Sequence, residues 1–189
     1  TTAKGSRIEL ADGGAVARNT GGVGHSVCSA SPLPSSGVHY VELVYENGSK
    51  GGSLGGCYMT GVLSAEAARR TDVFSQSCGL ALMADGFWGV DDRGVSGSSS
   101  WGIRRGKGGT AGAPAKARTA DGRVFLSGDR VGLLVDMGAR TLAIHRDGAP
   151  IPGLTFTGLP AEVYVGATPD DSGASVRIEQ KALPAAASS

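Results

Sequence analysis

The sequence predicts an all-β fold, a sandwich of two antiparallel sheets with little helix. The clearest evidence lies between residues 128 and 177, where apolar side chains such as Val131, Leu133 and Val135 occupy alternate positions. This is the period of a strand that buries one face. Asp147-Gly148 then suits a two-residue type I′ hairpin turn, because both turn positions need a positive φ. The 32 glycines, without a collagen-like repeat, indicate many tight turns between short strands.

Before residue 64, five segments are predicted to be strands. They are residues 6–10, 16–19, 27–30, 38–45 and 56–63. The first two flank the turn residues 12–14 and should form a hairpin. Residues 38–45 are apolar on both faces, which is typical of a central strand. Glu42 within that strand therefore needs a partner, because a lone buried carboxylate is costly.

The middle of the chain is less regular. Residues 64–71 favour either one helical turn or an irregular loop, and residues 78–83 should form a hairpin with residues 87–90. Residues 91–122 are rich in glycine, serine and arginine, and we expect an insertion there. One of the two tryptophans, Trp88 and Trp101, should lie in the core and the other in the insertion.

The last third of the chain predicts an antiparallel meander followed by a linker-like tail at residues 183–189. The meander contains alternating segments at residues 131–137, 141–146, 163–167 and 175–178. By parity, His145 lies on the face opposite Leu142 and Ile144, so we expect it to be exposed. The predicted core comprises Val41, Leu43, Val62, Leu80, Leu82, Val131, Leu133, Val135, Leu142, Ile144, Val163, Val165, Val176 and Ile178.

Length and charge indicate one domain, predicted over residues 1–182, with no strong overall field. A net charge of +1 does not by itself attract nucleic acid or a membrane surface. Three widely spaced cysteines (Cys28, Cys57 and Cys78) without a signal peptide favour an intracellular, cytoplasmic setting, with the nucleus as the alternative. We interpret all three as small buried hydrophobic residues.

No apolar run approaches the 18 residues of a membrane span, so we expect no membrane insertion. The sequence starts at Thr1 rather than at methionine. We therefore expect a module of a larger polypeptide or complex.

No catalytic, metal or cofactor motif is evident. The three histidines (His25, His39 and His145) accompany no nucleophile motif, and no CxxC pair is present. The string from Gly102 to Gly108 differs from a phosphate-binding loop in spacing and lacks the hydroxyl residue. The sequence therefore predicts a protein that is not an enzyme and binds no cofactor.

Several segments together resemble the SPRY (B30.2-like) domain family. They are GDRVGLLVD at residues 128–136, TLAIHRDG at residues 141–148, FTGLP at residues 156–160, Val163-Tyr164, SGVHYVEL at residues 36–43 and GCYMTGVL at residues 56–63. The resemblance extends from about Ile8 to Glu179. It implies a concanavalin-like jelly-roll sandwich.

The resemblance also implies that loops at one end of the sandwich form a preformed surface for a peptide or a folded protein. Aromatic and arginine side chains dominate such surfaces. The predicted partner-binding residues are Arg69, Arg70, Asp72, Phe74, Trp101, Arg104, Arg105, Asp170 and Asp171. Thr168-Pro169-Asp170-Asp171 replaces a tryptophan that some members carry, so no known peptide specificity is carried over.

Two other functions remain open at this stage. Trp101 precedes a basic cluster formed by Arg104, Arg105, Lys107, Lys116, Arg118 and Arg123, a combination that would suit single-stranded RNA. Two-sheet sandwiches of this kind also occur among carbohydrate-binding lectins. A fold does not choose among these functions, because function resides in the site.

Overall fold

The computed structural model describes residues 3–22, 24–46, 57–76, 80, 86–95, 98–104, 128, 130–169 and 172–184. Residues 57, 91–95, 98–104, 152 and 153 are described by their backbone only. These parts of the chain contain twelve strands and one short helix. The prediction of an all-β sandwich with little helix is confirmed.

The strands form two antiparallel sheets. Seven strands form the first sheet, in the spatial order β1 (Ile8–Ala11), β2 (Val16–Asn19), β12 (Ser175–Lys181), β4 (Val38–Glu46), β8 (Arg130–Asp136), β9 (Thr141–Arg146) and β10 (Ala149–Thr157). Five strands form the second sheet, in the order β3 (Val27–Cys28), β11 (Val163–Thr168), β5 (Cys57–Ser64), β6 (Phe87–Val95) and β7 (Ser98–Arg104). Strand β4 lies at the centre of the first sheet, as its two apolar faces predict.

The turns follow the local sequence. The hairpin of β1 and β2 closes through a 3-10 turn at Asp12–Gly14, and its strands pair from Ile8 opposite Asn19 to Ala11 opposite Val16. Asp147 and Gly148 have φ values of 49° and 82°, as a type I′ turn requires. The only α-helix in the described residues, α1 (Ala65–Ala68), is a single turn capped by the Ser64 hydroxyl.

The meander prediction is wrong in its second half. Strands β8, β9 and β10 are consecutive neighbours, but β11 crosses to the second sheet and β12 returns to lie between β2 and β4. Alternating apolar residues predict a strand and its buried face, but they do not predict its neighbours. The sheet that a strand joins depends on contacts with distant parts of the chain, so a local pattern cannot predict it.

The predicted hairpin of residues 78–83 with residues 87–90 is also wrong where it can be examined. Strand β6 pairs with β5 and β7, so that Val90 lies between Thr60 and Ile103 and has no free edge. Residues 78, 79 and 81–83 lie outside the described residues. Residues 91–95 and 98–104, which we placed in an insertion, form strand backbone in β6 and β7, and residues 105–122 are outside the described part.

Apolar side chains fill two layers. The larger layer lies between the sheets, and Trp88 belongs to it. The smaller layer lies on the outer face of the second sheet, where Phe74, Leu80 and Phe87 pack against alternate residues of β5. Of the predicted core residues, Ile178 is only partly buried, Leu82 lies outside the described residues, and the other twelve are buried.

Candidate functional site

A short exposed loop follows helix α1 and contains three of the predicted partner-binding residues. Residues 69–72 (Arg69, Arg70, Thr71 and Asp72) are exposed. Buried residues bracket them, with Ala67 and Ala68 before the loop and Val73 and Phe74 after it. We call residues 69–72 the arginine loop. The buried residues on both sides therefore anchor the backbone of this exposed loop to the outer apolar layer.

Hydrogen bonds within the backbone hold the arginine loop in one conformation. Val73 N donates to Arg70 O at 3.2 Å, and Phe74 N donates to Thr71 O at 3.3 Å. Phe74 O then accepts from Ser26 N at 2.9 Å, which ties the segment to the residue before β3. A loop ordered in this way loses little conformational entropy when a partner binds.

Phe74 was predicted to contact a partner, but the structure places it in the core. Its side chain is fully buried and packs with Met59, Leu63, Leu80 and Phe87 in the outer apolar layer. An aromatic side chain in that position cannot contact a partner. Phe74 instead anchors the loop that presents its neighbours.

Tyr164 packs against the outer apolar layer that supports the arginine loop, and neither it nor its hydrogen-bond partner Glu162 was among the predicted site residues. The Tyr164 hydroxyl donates to Glu162 Oε1 at 2.7 Å, and this bond is the main cause that raises the pKa of Tyr164. The charge of Arg69 acts in the opposite direction, and the Tyr164 side chain packs against the apolar layer that contains Ala67 and Ala68. The alternation of side chains along β11 could have identified Tyr164, because it lies on the face opposite the buried Val163 and Val165.

The guanidinium groups of the arginine loop differ from that of Arg130 in their contacts with carboxylates. Among the described residues, no carboxylate forms an ion pair with Arg69 or Arg70. Arg130, in contrast, contacts Glu42 and Glu179. Within the described part of the chain, no carboxylate therefore engages the guanidinium donors of the two loop arginines.

The structure does not gather the other predicted site residues around this loop. Trp101 and Arg104 lie in β7, where their backbones pair with Asp92 and Gly89 and their side chains are not described. Strand β7 is separated from β5, which α1 contacts, by β6. Arg105, Asp170 and Asp171 lie outside the described residues, as do Lys107, Lys116, Arg118 and Arg123 of the basic cluster.

A second polar cluster occupies the outer face of the seven-stranded sheet. Arg130 Nη1 donates to Glu42 Oε2 at 3.0 Å and to Glu179 Oε2 at 2.9 Å. The Tyr40 hydroxyl donates to Glu42 Oε1 at 3.2 Å. Glu42 thus has the partner that the sequence required. Contacts first with Lys181 and then with Arg130 lower the pKa of Glu179 to about 2.

This cluster balances its own charges, since two carboxylates face one arginine and one lysine. Burial, followed by the charge of Glu42 and its hydrogen bond, raises the pKa of Tyr40, so the phenol remains a donor. A neutral, internally satisfied network stabilises the sheet rather than attracting a charged ligand. We therefore assign it a structural role.

The histidine predictions have mixed outcomes. His145 does lie opposite Leu142 and Ile144, but it is buried, not exposed as predicted. The ring of Tyr40 covers it edge to face at a centroid distance of 5.5 Å. His39 Nε2 lies 2.8 Å from Ser36 O. Within the described ranges, no three His, Cys, Asp or Glu residues come together as metal ligands.

Of the three cysteines, only Cys28 has a described side chain, and it is buried as predicted. Burial raises the pKa of its thiol to about 11, so the reactive thiolate form is suppressed. No helix within the described ranges is long and apolar enough to cross a membrane.

Comparison with known proteins gives a consistent result for the fold. No protein-family model and no curated protein matches the sequence. The structure is similar to that of the TRIM65 PSpry domain, with 13% identity and a TM-score of 0.58 over 94% of this chain and 88% of that chain. The SPRY domain of human HERC1 is 13% identical, with a TM-score of 0.55 over 93% of this chain and 94% of that chain.

A third solved structure, described as a human SPRY domain, is 16% identical with a TM-score of 0.51, and the match covers 92% of this chain and 95% of that chain. All three are SPRY domains, and each match includes nearly the whole length of both chains. The chain therefore has the SPRY fold, as the sequence resemblance predicted.

Proposed function

We propose that this chain is a non-catalytic protein-interaction module, part of a larger protein or complex, that binds a peptide or a folded protein through the arginine loop and Tyr164. The observation that supports this function best is the loop itself. It presents two arginines without ion-pair partners in the described structure on a backbone that is already ordered. Arginine and tyrosine are, with tryptophan, the residue types enriched at the energetic centres of interfaces.

The similarity to solved SPRY domains supports the proposal at the level of the fold. Asp72 remains part of the proposed surface because it is exposed in the arginine loop. Trp101, Arg104, Arg105, Asp170 and Asp171 remain predicted contributors. An intracellular location likewise remains a prediction.

The proposal is tested with a displayed peptide library selected on the immobilised wild-type domain. Dissociation constants of the selected peptides are then measured by calorimetry for wild type and for the double variant Arg69→Ala/Arg70→Ala. We expect binding to weaken about tenfold or more, because truncation of a side chain at the energetic centre of an interface costs about 2 kcal/mol or more. Unchanged affinity of every selected peptide for the double variant would contradict this site.

The matched control is Arg7→Ala/Arg18→Ala, which removes two exposed arginines near β1 and β2. It should leave the affinities unchanged, so a general charge effect is separated from a local one. Capture from a cell lysate with and without nuclease adds a second readout. Partners that disappear only after nuclease treatment would favour the RNA hypothesis and the basic cluster.

A further inference from the structure

Residues 3–6 lie along the start of β3, and we call them the strap. Gly5 N donates to Ser26 O at 2.8 Å, and Cys28 N donates to Ala3 O at 2.9 Å. Between these two bonds the strap and β3 run antiparallel. Strand β3 is the terminal strand of its sheet in the described part of the chain, so the strap extends that sheet by one short segment.

The strap also contacts the residues that follow the arginine loop. Ser6 N donates to Ser75 Oγ at 2.8 Å, although 69 positions separate the two serines. Ser26, which accepts from the strap through its C=O, donates through its N–H to Phe74 O at 2.9 Å. Ala3 packs against the outer apolar layer that contains Phe74. Three separate contacts therefore join the strap to the segment that anchors the arginine loop.

The strap and this segment meet most closely at Gly5, which is buried. A Cβ atom on Gly5 would clash with Phe74 O and would lie 2.8 Å from His25 Nδ1. Phe74 O is a backbone atom that already accepts from Ser26 N, so it cannot move without disturbing that bond. A side chain at position 5 therefore forces the strap and Phe74 apart.

We propose that the strap positions the arginine loop for binding. While the strap is docked, it holds the main chain at Phe74, and the bond from Phe74 N to Thr71 O transmits this restraint to the loop. When the strap detaches, the loop loses its fixed end and samples other conformations, so a partner binds more weakly. Gly5 and Ser75 are positioning residues that act through the loop. The effect on affinity rests on the proposed function, whereas the effect on loop order does not.

Amide hydrogen exchange of the full chain, followed by NMR, tests the effect on loop order. Val73, Phe74 and Gln76 are suitable reporters, because their amides donate to backbone oxygens within residues 70–73. Gly5→Ala should accelerate their exchange about tenfold or more, since overpacking against backbone opens the segment. Gly21→Ala is the control, because no heavy atom lies within 4 Å of the added Cβ, and it should leave these rates unchanged.

A second control separates local opening from general destabilisation. Gly132→Ala crowds Tyr40 on the seven-stranded sheet and should lower the stability of the whole domain. It should leave exchange at Val73 and Phe74 unchanged, because these amides open with the strap rather than with the whole sandwich. The proposal is overturned if Gly132→Ala and Gly5→Ala accelerate the two amides equally at equal loss of stability.

Ser75→Ala keeps the test decisive if Gly5→Ala does not fold. It removes the acceptor of Ser6 N at an exposed position. Exchange at Phe74 should rise by a few-fold, as expected for the loss of one hydrogen bond. Ser35→Ala removes another exposed hydroxyl group and should have no effect. Unchanged exchange in Ser75→Ala would contradict the strap's hold on the loop.

A double-mutant cycle tests the effect on binding, with the peptides that were selected on the wild-type domain. Gly5→Ala should weaken them by about fivefold in the wild-type background, because the loop is less ordered before binding. It should have no further effect in Arg69→Ala/Arg70→Ala, because Gly5 acts through the loop. Equal weakening in both backgrounds would refute the positioning role. Linkage also requires the reverse effect, so a bound peptide should slow exchange of the Gly5 amide.

The two proposals fail separately. If the peptides bind wild type and the arginine double variant equally, the proposed function fails, while accelerated exchange at Val73 and Phe74 still supports the strap's hold on the loop. If Gly5→Ala changes neither exchange nor affinity, the strap does not position the loop, even where the arginine loop is confirmed as the binding site.

Discussion

At the scale of single residues, burial depends on neighbours that strand parity cannot identify. Parity correctly places His145 on the outer face of β9, yet the side chain is buried because Tyr40 lies across it. Tyr40 can lie there because Gly132, on the strand between them, has no side chain. The sequence contains all three residues, but only the pairing of β4, β8 and β9 brings them together.

Glu42 shows which part of a residue's environment can be predicted. Its position in a central apolar strand requires a partner, and that requirement follows from the sequence. The partner is Arg130, which is 88 residues away in the chain. Local sequence therefore predicts the need for an ion pair and a hydrogen bond, and only the strand register identifies the residues that provide them.

The substitution Gly132→Ala tests the contact between Gly132 and Tyr40. A Cβ atom at this position would lie 2.2 Å from the Tyr40 hydroxyl oxygen and 2.7 Å from two ring carbons. The ring must move, so we expect the free energy of unfolding to fall by about 1–3 kcal/mol, the usual cost of overpacking. Urea denaturation followed by circular dichroism measures this change.

Gly21→Ala is the matched control, because no heavy atom lies within 4 Å of the added Cβ. It should change stability by no more than about 0.5 kcal/mol. In a Tyr40→Ala background, Gly132→Ala should cost less than in wild type. Equal costs in both backgrounds would show that the ring of Tyr40 is not the obstacle.

At the scale of elements, one irregular segment covers the outer face of the second sheet and forms a third layer of the fold. Residues 65–76 begin with the single turn of α1, and their buried side chains cover the outer face of β5. The sequence predicted either a helical turn or a loop there, and the structure combines the two. Alternation in β5 explains the arrangement, because Val62 faces the layer between the sheets and Leu63 faces this cover.

The substitution Phe74→Ala tests the role of this cover as the anchor of the arginine loop. Phe74 is fully buried, so its truncation should lower the free energy of unfolding by about 3–5 kcal/mol. Arg70→Ala changes an exposed side chain four residues earlier and should alter stability by no more than about 0.5 kcal/mol. Chemical denaturation of both variants provides the comparison. Equal stability of the two variants would mean that Phe74 does not anchor the loop.

At the scale of the whole molecule, the sequence predicted the fold class and most of the core but not the order of strands. Alternation and turn residues identified most strands of both sheets, including the central β4, but they missed β7 and β10. The sheet change at β11 and the place of β12 between β2 and β4 both depend on contacts between distant parts of the chain. The candidate site was predicted in part for the same reason: exposed Arg69 and Arg70 were found, while Tyr164 becomes their neighbour only through the packing of α1 against β11.

The two apolar layers should unfold together, because β5 contributes alternate residues to both. Val62→Ala truncates the layer between the sheets, and Leu63→Ala truncates the outer layer; both side chains are fully buried. We expect each to lower the urea midpoint, with a cost of about 2–5 kcal/mol for the leucine. In a Trp101→Phe background, fluorescence reports Trp88 alone, which lies in the layer between the sheets.

For Leu63→Ala, the Trp88 fluorescence transition should coincide with the transition in far-ultraviolet circular dichroism, as two-state unfolding requires. Leu183→Ala, at a position where the side chain is 39% exposed, serves as the control and should not shift the midpoint. A first transition in circular dichroism that leaves Trp88 fluorescence unchanged would show that the outer layer unfolds on its own. The arginine loop would then rest on a separately unfolding unit, and its preordered conformation would depend on the local stability of the cover.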